Sequence, residues 1–213
     1  GPGGEVVEAP TLDDLAEVSP GPEWHIDVPG NALNPGCTYE QLYDALDAEP
    51  VTYGRVATDP DHPDQLVVQY WFFYVYNDWN DRHEGDWEMI QLVFDVPTAE
   101  EALAVQPVMA MYAQHEGGEV AEWHGGPLQV RDGSHPVVYS AHGSHAGYYS
   151  SARWFGNSAQ SGFGCDDTRA KIDTVEPTVV RLTGDESWLA FTGRWGEKQP
   201  SFNNGPTGPA TKT

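Results

Sequence analysis

The longest apolar stretch of the chain runs from Leu66 through Tyr76 and is broken by one amide, Gln69. β-branched and aromatic residues dominate it, which predicts a strand covered on both faces. A second run, Met89-Ile90-Gln91-Leu92-Val93-Phe94, predicts a strand over about 86–95. Shorter runs predict strands at 108–113, 119–123, 136–141, 179–182 and 188–191. Gly-, Asn- and Asp-rich turns separate them. Helical patterning is sparse. Thr38 to Leu46 predicts a short helix with Thr38 as N-cap, Gln41 reaching back to it and Pro50 ending it. Pro97 to Leu103 predicts another. Asp59 to Asp64, with Pro60 and Pro63, predicts a loop. Residues 147–176 are rich in Ser, Gly and Asp and predict a long loop or flap. The pattern is that of a mainly β protein, an antiparallel β-sandwich with short peripheral helices and long loops.

Three segments follow: an extended N-terminal arm over 1–35 anchored by Trp24 and Ile26, a single β-sandwich domain over 36–209, and a loose tail over 210–213. The chain of 213 residues is enough for one sizeable core. No apolar run is long enough to cross a membrane as a helix. No signal peptide is present, but Gly1-Pro2-Gly3-Gly4 reads as a trimmed start from which a leader could have been removed; with that leader presumed, a secreted, extracellular location is expected.

Charge narrows the classes further. With 33 acidic against 10 basic residues the net charge is -23. Such a surface repels phosphate backbones, so nucleic acid is excluded as a partner, and it attracts cations. Lysines number only three, Lys171, Lys198 and Lys212. The two cysteines, Cys37 and Cys165, lie far apart in sequence and are expected to pair as a disulfide, the other reading being two buried thiols. Closing that loop would contribute about 4–5 kcal/mol in the chain-entropy model.

The chemistry concentrates between the two longest apolar runs, at His83-Glu84-Gly85-Asp86-Trp87-Glu88. Ionisable groups placed there need compensation, because burying an unpaired charge costs several kcal/mol. Strand alternation puts Asp86 and Glu88 on one face and Trp87 on the other. His83, at the turn before them, completes a set of one imidazole and two carboxylates that suits a divalent cation. Magnesium or calcium fits best, and manganese and zinc are also admissible. Asp78 and Asp81 stand ready to add an oxygen or hold waters.

A second cluster, Ser140-Ala141-His142-Gly143-Ser144-His145, closes an apolar run. His142 and His145 are candidates for completing a metal shell, for acid–base catalysis or for bonding a ligand, with a buried structural histidine as the plain alternative. No glycine elbow surrounds Ser144, which argues against a nucleophile. His115, His124 and His135 read as exposed loop residues. Trp79, Tyr148, Tyr149, Trp154 and Phe155 offer either sugar-stacking surfaces or a satellite core, the latter being preferred.

These two clusters carry a family resemblance. His83, Asp86, Trp87 and Glu88 resemble the His-Asp-Trp-Glu motif of necrosis- and ethylene-inducing peptide-like proteins, and Ser140-Ala141-His142-Gly143 is similar to that family's second motif. The resemblance implies a β-sandwich with a divalent cation held by His83, Asp86 and Glu88. Two positions depart from it. Gly85 stands where the family has a second histidine, and Val75 stands where it has a further aspartate. The cytolysins of that family recognise plant sphingolipid head groups.

A wider set of residues resembles the vacuolar-protein-sorting-sixty-two-like family and spans about 66–209: Tyr70-Trp71-Phe72-Phe73, His83 to Glu88, Gly143-Ser144-His145-Ala146, Gly193-Arg194-Trp195-Gly196 and Asn204 to Pro209.

Together these readings point to a secreted divalent-metal-binding β-sandwich that recognises a glycan or lipid head group. The alternative is a metal-dependent hydrolase or lyase with Glu84, His142 or His145 as acid or base. A third reading is a structural module with a stabilising ion. The sequence leaves open whether the protein is an enzyme.

Overall fold

A computed structural model describes residues 1–18, 21, 23–170 and 174–211. The chain is mainly β, with 38% strand and 14% helix. It divides into two compact units that do not follow chain order. One comprises Gly1–Glu49, Phe73–Trp87 and Leu182–Thr213, and the other Pro50–Phe72 and Glu88–Arg181.

In chain order the helices and strands are α1 (Leu12–Glu17), α2 (Thr38–Leu46), β1 (Val51–Asp59), β2 (His62–Asn77), β3 (His83–Phe94), α3 (Ala99–Ala102), β4 (Met109–Gln114) and β5 (Gly117–Glu122). There follow β6 (Val130–Arg131), β7 (His135–Pro136), β8 (Tyr139–Ser140), β9 (Gly147–Tyr148), β10 (Arg153–Ser158), β11 (Gly162–Asp167) and β12 (Thr178–Leu182). Six strands form one sheet in the order β12-β1-β2-β3-β4-β5. Three two-stranded ribbons, β6-β7, β8-β9 and β10-β11, accompany it.

In the second unit, one face of the large sheet supplies Leu66, Ile90, Leu92, Ala110 and Tyr112 to the main core. Trp123 and Tyr149 complete that core from other segments. Antiparallel registers such as Val68 opposite Val56 and Leu92 opposite Ala110 fix which side chains share the face. A smaller cluster of Ala141, Ala146 and Tyr148 lies under Trp154, whose ring stacks on Tyr148 at 4.6 Å.

The first unit is held differently. Trp87, Trp188, Trp195, Phe73 and Phe191 form an aromatic cluster with centroid separations of 4.9–6.2 Å. Beside it Tyr39 stacks on Tyr76 at 4.0 Å. The N-terminal segment is tied by backbone bonds, the Arg194 N–H donating to Trp24 O at 2.9 Å and the Ile26 N–H to Arg194 O at 2.8 Å.

Several local expectations change. The arm contains α1, begun by a capping box in which Thr11 and Asp14 bond reciprocally. No side-chain cap forms on α2: Cys37 is its N-cap and Asp47, in a left-handed conformation, closes it before Pro50 is reached. The predicted loop at 59–64 is a tight reversal, because Asp59 pairs directly with His62 across a register shift. The 147–176 segment holds β9 and the β10-β11 ribbon instead of a long loop; its residues 171–173, Lys171 included, lie outside the described residues, as do 212–213 of the expected tail with Lys212. Ser187–Ala190 is a short 3-10 helix, not a strand. The expected disulfide is absent: Cys37 and Cys165 are both exposed thiols, neither buried nor joined. Cys165 sits mid-strand opposite Phe155, so the ribbon's pairing sets its position and the entropic gain of a cross-link does not.

Candidate functional site

The His83–Glu88 stretch opens β3, and its local geometry departs from regular alternation at one point. Gly85 has φ +65°, and a Cβ there would lie 1.5 Å from the carbonyl oxygen of Trp195. Only glycine permits that approach. The reverse approach occurs at Gly196, where a Cβ would lie 1.9 Å from Glu84 O.

Glu84 is fully buried, with 0% exposure. Its Oε1 accepts from the Tyr39 hydroxyl at 2.6 Å, and its Oε2 accepts from the backbone N–H of Val28 at 2.9 Å and of Glu197 at 3.0 Å. Burial pushes its carboxyl above the usual range, partly offset by those three bonds. Burial and the neighbouring Glu84 push the Tyr39 phenol far up in turn. Expected as a candidate acid or base, Glu84 is instead the acceptor that ties the N-terminal segment, α2 and the C-terminal segment to β3. Its carboxylate is enclosed, with no surface open to an outside substrate.

His83 is buried and begins β3 rather than preceding it. Its Nδ1 lies 2.7 Å from the carbonyl oxygen of Gly85. A carbonyl only accepts, so Nδ1 carries the hydrogen and the neutral ring has its lone pair on Nε2. This is the arrangement by which metal-binding histidines are oriented. Asp86 is buried, and Glu88 is half-buried. Among the described residues, no three His, Cys, Asp or Glu side chains converge into a group that could hold a metal ion. Asp78 ion-pairs with Arg82 at 2.9 Å, and Asp81 accepts from the Asn77 amide at 2.9 Å.

The second cluster separates into inward and outward residues. His142 is exposed, whereas Ser144 is buried and donates to Asp166 Oδ1 at 2.5 Å. Asp166, 2% exposed, also accepts on Oδ2 from His115 Nε2 and from the Tyr148 hydroxyl, both at 2.7 Å. Burial alone would raise its carboxyl, but the bonds from His115, Ser144 and Tyr148 outweigh it and hold the group below the usual range. Ser144 therefore bonds a carboxylate and not a histidine, which is a structural arrangement. His115, expected as an exposed loop residue, is part of this knot, and its left-handed backbone (φ +52°) turns the β4-β5 hairpin. The signal missed in the sequence was Asp166, which lay in a segment read as loop. His145 is half-buried, also left-handed at φ +58°, and its N–H donates to Ala141 O at 3.0 Å.

His142 lines an open cleft of about 550 Å³ with Cys165, Asp167, Arg169 and Ala170. Asp167 accepts from Arg169 at 2.7 and 3.0 Å and from Arg153 at 3.2 Å. Arg169 beside it holds its carboxyl far below the ordinary range. Of the aromatics, Tyr148 and Tyr149 are core residues, whereas Phe155 is 76% exposed and is not the satellite-core residue expected.

No family model matches the chain, and no curated protein matches it. The resemblance to the vacuolar-protein-sorting-sixty-two-like family therefore gains no support. Among solved structures, the chain is similar to a mutant of NLPPya, at 12% identity and a TM-score of 0.41 over 65% of this chain and 54% of that one. It is similar to NLPPya in complex with glucosamine at 10% identity and 0.39, over 66% and 54%. A third is the Necrosis and Ethylene inducing Protein 2 from the causal agent of cocoa's Witches Broom disease, at 17% identity and 0.36, over 67% and 56%. The chain thus spans little more than half the length of these proteins. At such scores the similarity carries no functional argument.

Proposed function

We propose that this protein is a secreted recognition module that holds a divalent cation on the His83–Glu88 stretch and uses it to bind a glycan or lipid head group. The observation that carries the reading is the His83 ring, whose Nδ1 hydrogen is committed to the Gly85 carbonyl and whose Nε2 lone pair is thereby set for a metal. Either Asp86 or Glu88 would supply one anionic oxygen from the same strand. Because no three such side chains converge among the described residues, the fit is to an ion that takes few protein ligands and keeps its waters. Magnesium does this with one or two carboxylates, whereas zinc normally demands three or four protein ligands. Bound there, the ion would offer exchangeable positions to sugar hydroxyls or a head-group anion.

Binding is favoured over hydrolase or lyase chemistry because Glu84, one of the three acid–base candidates, is enclosed, which leaves His142 and His145 to carry the enzyme reading. The test is a thermal melt in EDTA followed by magnesium or calcium. Chelator should lower Tm, and the returning ion should restore it in wild type but not in whichever of Asp86→Asn and Glu88→Gln removes the ligand. An EDTA-insensitive Tm, with both variants melting like wild type, removes the cation. Assays for ester and glycoside turnover, compared with His142→Ala, would revive the enzyme reading if wild type turned over and the variant did not.

A further inference from the structure

We infer that the outer face of the β10-β11 ribbon, together with the His142 cleft at its end, is an oligosaccharide-binding platform that works without the cation. The ligand class rests on the function proposed above; the location rests on the ribbon itself. Directly opposed residues in an antiparallel pair share a face. Arg153 opposes Asp167, Phe155 opposes Cys165 and Asn157 opposes Phe163, so these six side chains lie on one side. The partners on the other side include the buried Gly162 and Asp166.

Phe155 and Phe163 are 76% and 65% exposed and stand diagonally to one another, a spacing of about 7–8 Å in such a pair. That suits one ring for each of two neighbouring sugar units. Cys165 and Asp167 belong both to this face and to the cleft, so the aromatic surface leads directly into a pocket that also presents His142 and Arg169.

The surroundings select the occupant. Two aromatic rings cover far less than the roughly 800 Å² per partner of a stable protein interface. A bilayer would desolvate the Arg153–Asp167–Arg169 ion pairs beside the rings, at a cost of charge burial. A sugar asks for neither. Its C–H face covers an aromatic plane, and its hydroxyls bond fixed donors and acceptors such as the Asn157 amide, Asp167 and Arg169. Arg153 and Arg169 offset Asp167 here, so this patch lacks the strong negative charge of the chain as a whole, and a neutral or uronate-containing oligosaccharide is accepted.

Calorimetric titration with cellohexaose, chitohexaose and a galacturonate hexamer, each in EDTA and in magnesium, tests this. Both rings are exposed, so the Phe155→Ala/Phe163→Ala double variant should keep the wild-type Tm, and Phe155→Trp keeps a plane and adds a fluorescence reporter. The expected result is binding of at least one probe in EDTA, lost by at least about tenfold in the double variant and retained, with quenching, in Phe155→Trp. Equal binding by the double variant overturns the platform and leaves the glycan reading standing. Binding only in magnesium does the same. No binding in either buffer overturns both. Phenylalanine-dependent capture by phosphatidylcholine vesicles, or phenylalanine-dependent self-association in sedimentation, overturns the platform in favour of a bilayer or a second copy.

Discussion

Removing the Glu84 carboxylate perturbs three segments at once. In Glu84→Ala the Val28 N–H, the Glu197 N–H and the Tyr39 hydroxyl all lose their acceptor in a site with no exposure. An orphaned buried donor costs about 1–3 kcal/mol, and a cavity is added. Relaxation makes such terms less than additive, so a loss of about 3–5 kcal/mol is expected. Glu84→Gln behaves differently. Its amide oxygen in the Oε2 position keeps both backbone donors, and its NH2 group faces a phenol that can turn to accept. The variant also sheds the penalty of burying a charge, so it should lie within about 1 kcal/mol of wild type. Tyr39→Phe leaves one carboxylate oxygen short of a donor and should cost about 1–3 kcal/mol.

The pH dependence gives an independent check of the same reasoning. Burial raises the folded carboxyl of Glu84, so the folded state binds its proton more readily than the unfolded state. Its contribution is therefore most favourable below the ordinary carboxylate range and falls as pH rises through the raised folded value. Glu84→Gln should lack that decline. Urea denaturation followed by far-UV circular dichroism between pH 4 and pH 8 measures all of this. A Glu84→Ala loss below about 1 kcal/mol, or a Glu84→Gln loss equal to it, would refute the tie.

Asp166 is predicted to act with the opposite sign. Its folded carboxyl is lowered, so its stabilising contribution is present above the ordinary carboxylate range and disappears as pH falls through the lowered value. Asp166→Ala should cost about 3 kcal/mol and flatten the acid limb of a urea series extended below pH 4. Gly85→Ala should cost more than about 3 kcal/mol, read as a fall in Tm or loss of soluble protein, since a methyl group collides with Trp195 O at a left-handed φ. For the cysteines, a thiol-reactive chromophore should label both Cys37 and Cys165 in the folded protein without reductant; labelling only after reduction would restore the disulfide.

The strands that carry the chemistry were legible. The apolar runs at 66–76 and 86–95 correspond to β2 and β3, and 108–113 and 119–123 to β4 and β5, because long β-branched and aromatic segments have few other ways to bury themselves. The short helix at 97–103 appears as α3, with Thr98 as its cap. What failed was the segment poor in apolar residues. In β10 and β11 the outward positions are Arg153, Phe155, Asn157, Phe163, Cys165 and Asp167, a mixture with no clean alternation, and the ribbon is held by pairing and by the Asp166 knot.

The sequence by itself determined a mainly β chain, the concentration of ionisable groups at His83–Glu88 and 140–145, and an acidic surface. Each follows from composition and local periodicity. Only the tertiary structure decided what each group does. Glu84 and Ser144 look chemically available in the sequence, yet both are buried and bonded by partners from distant segments (Val28, Tyr39 and Glu197 for one, Asp166 for the other). His115 and Phe155 exchanged their expected surroundings for the same reason. Local spacing fixes which residues are near in the chain, whereas burial and hydrogen-bond satisfaction depend on segments that spacing does not bring together.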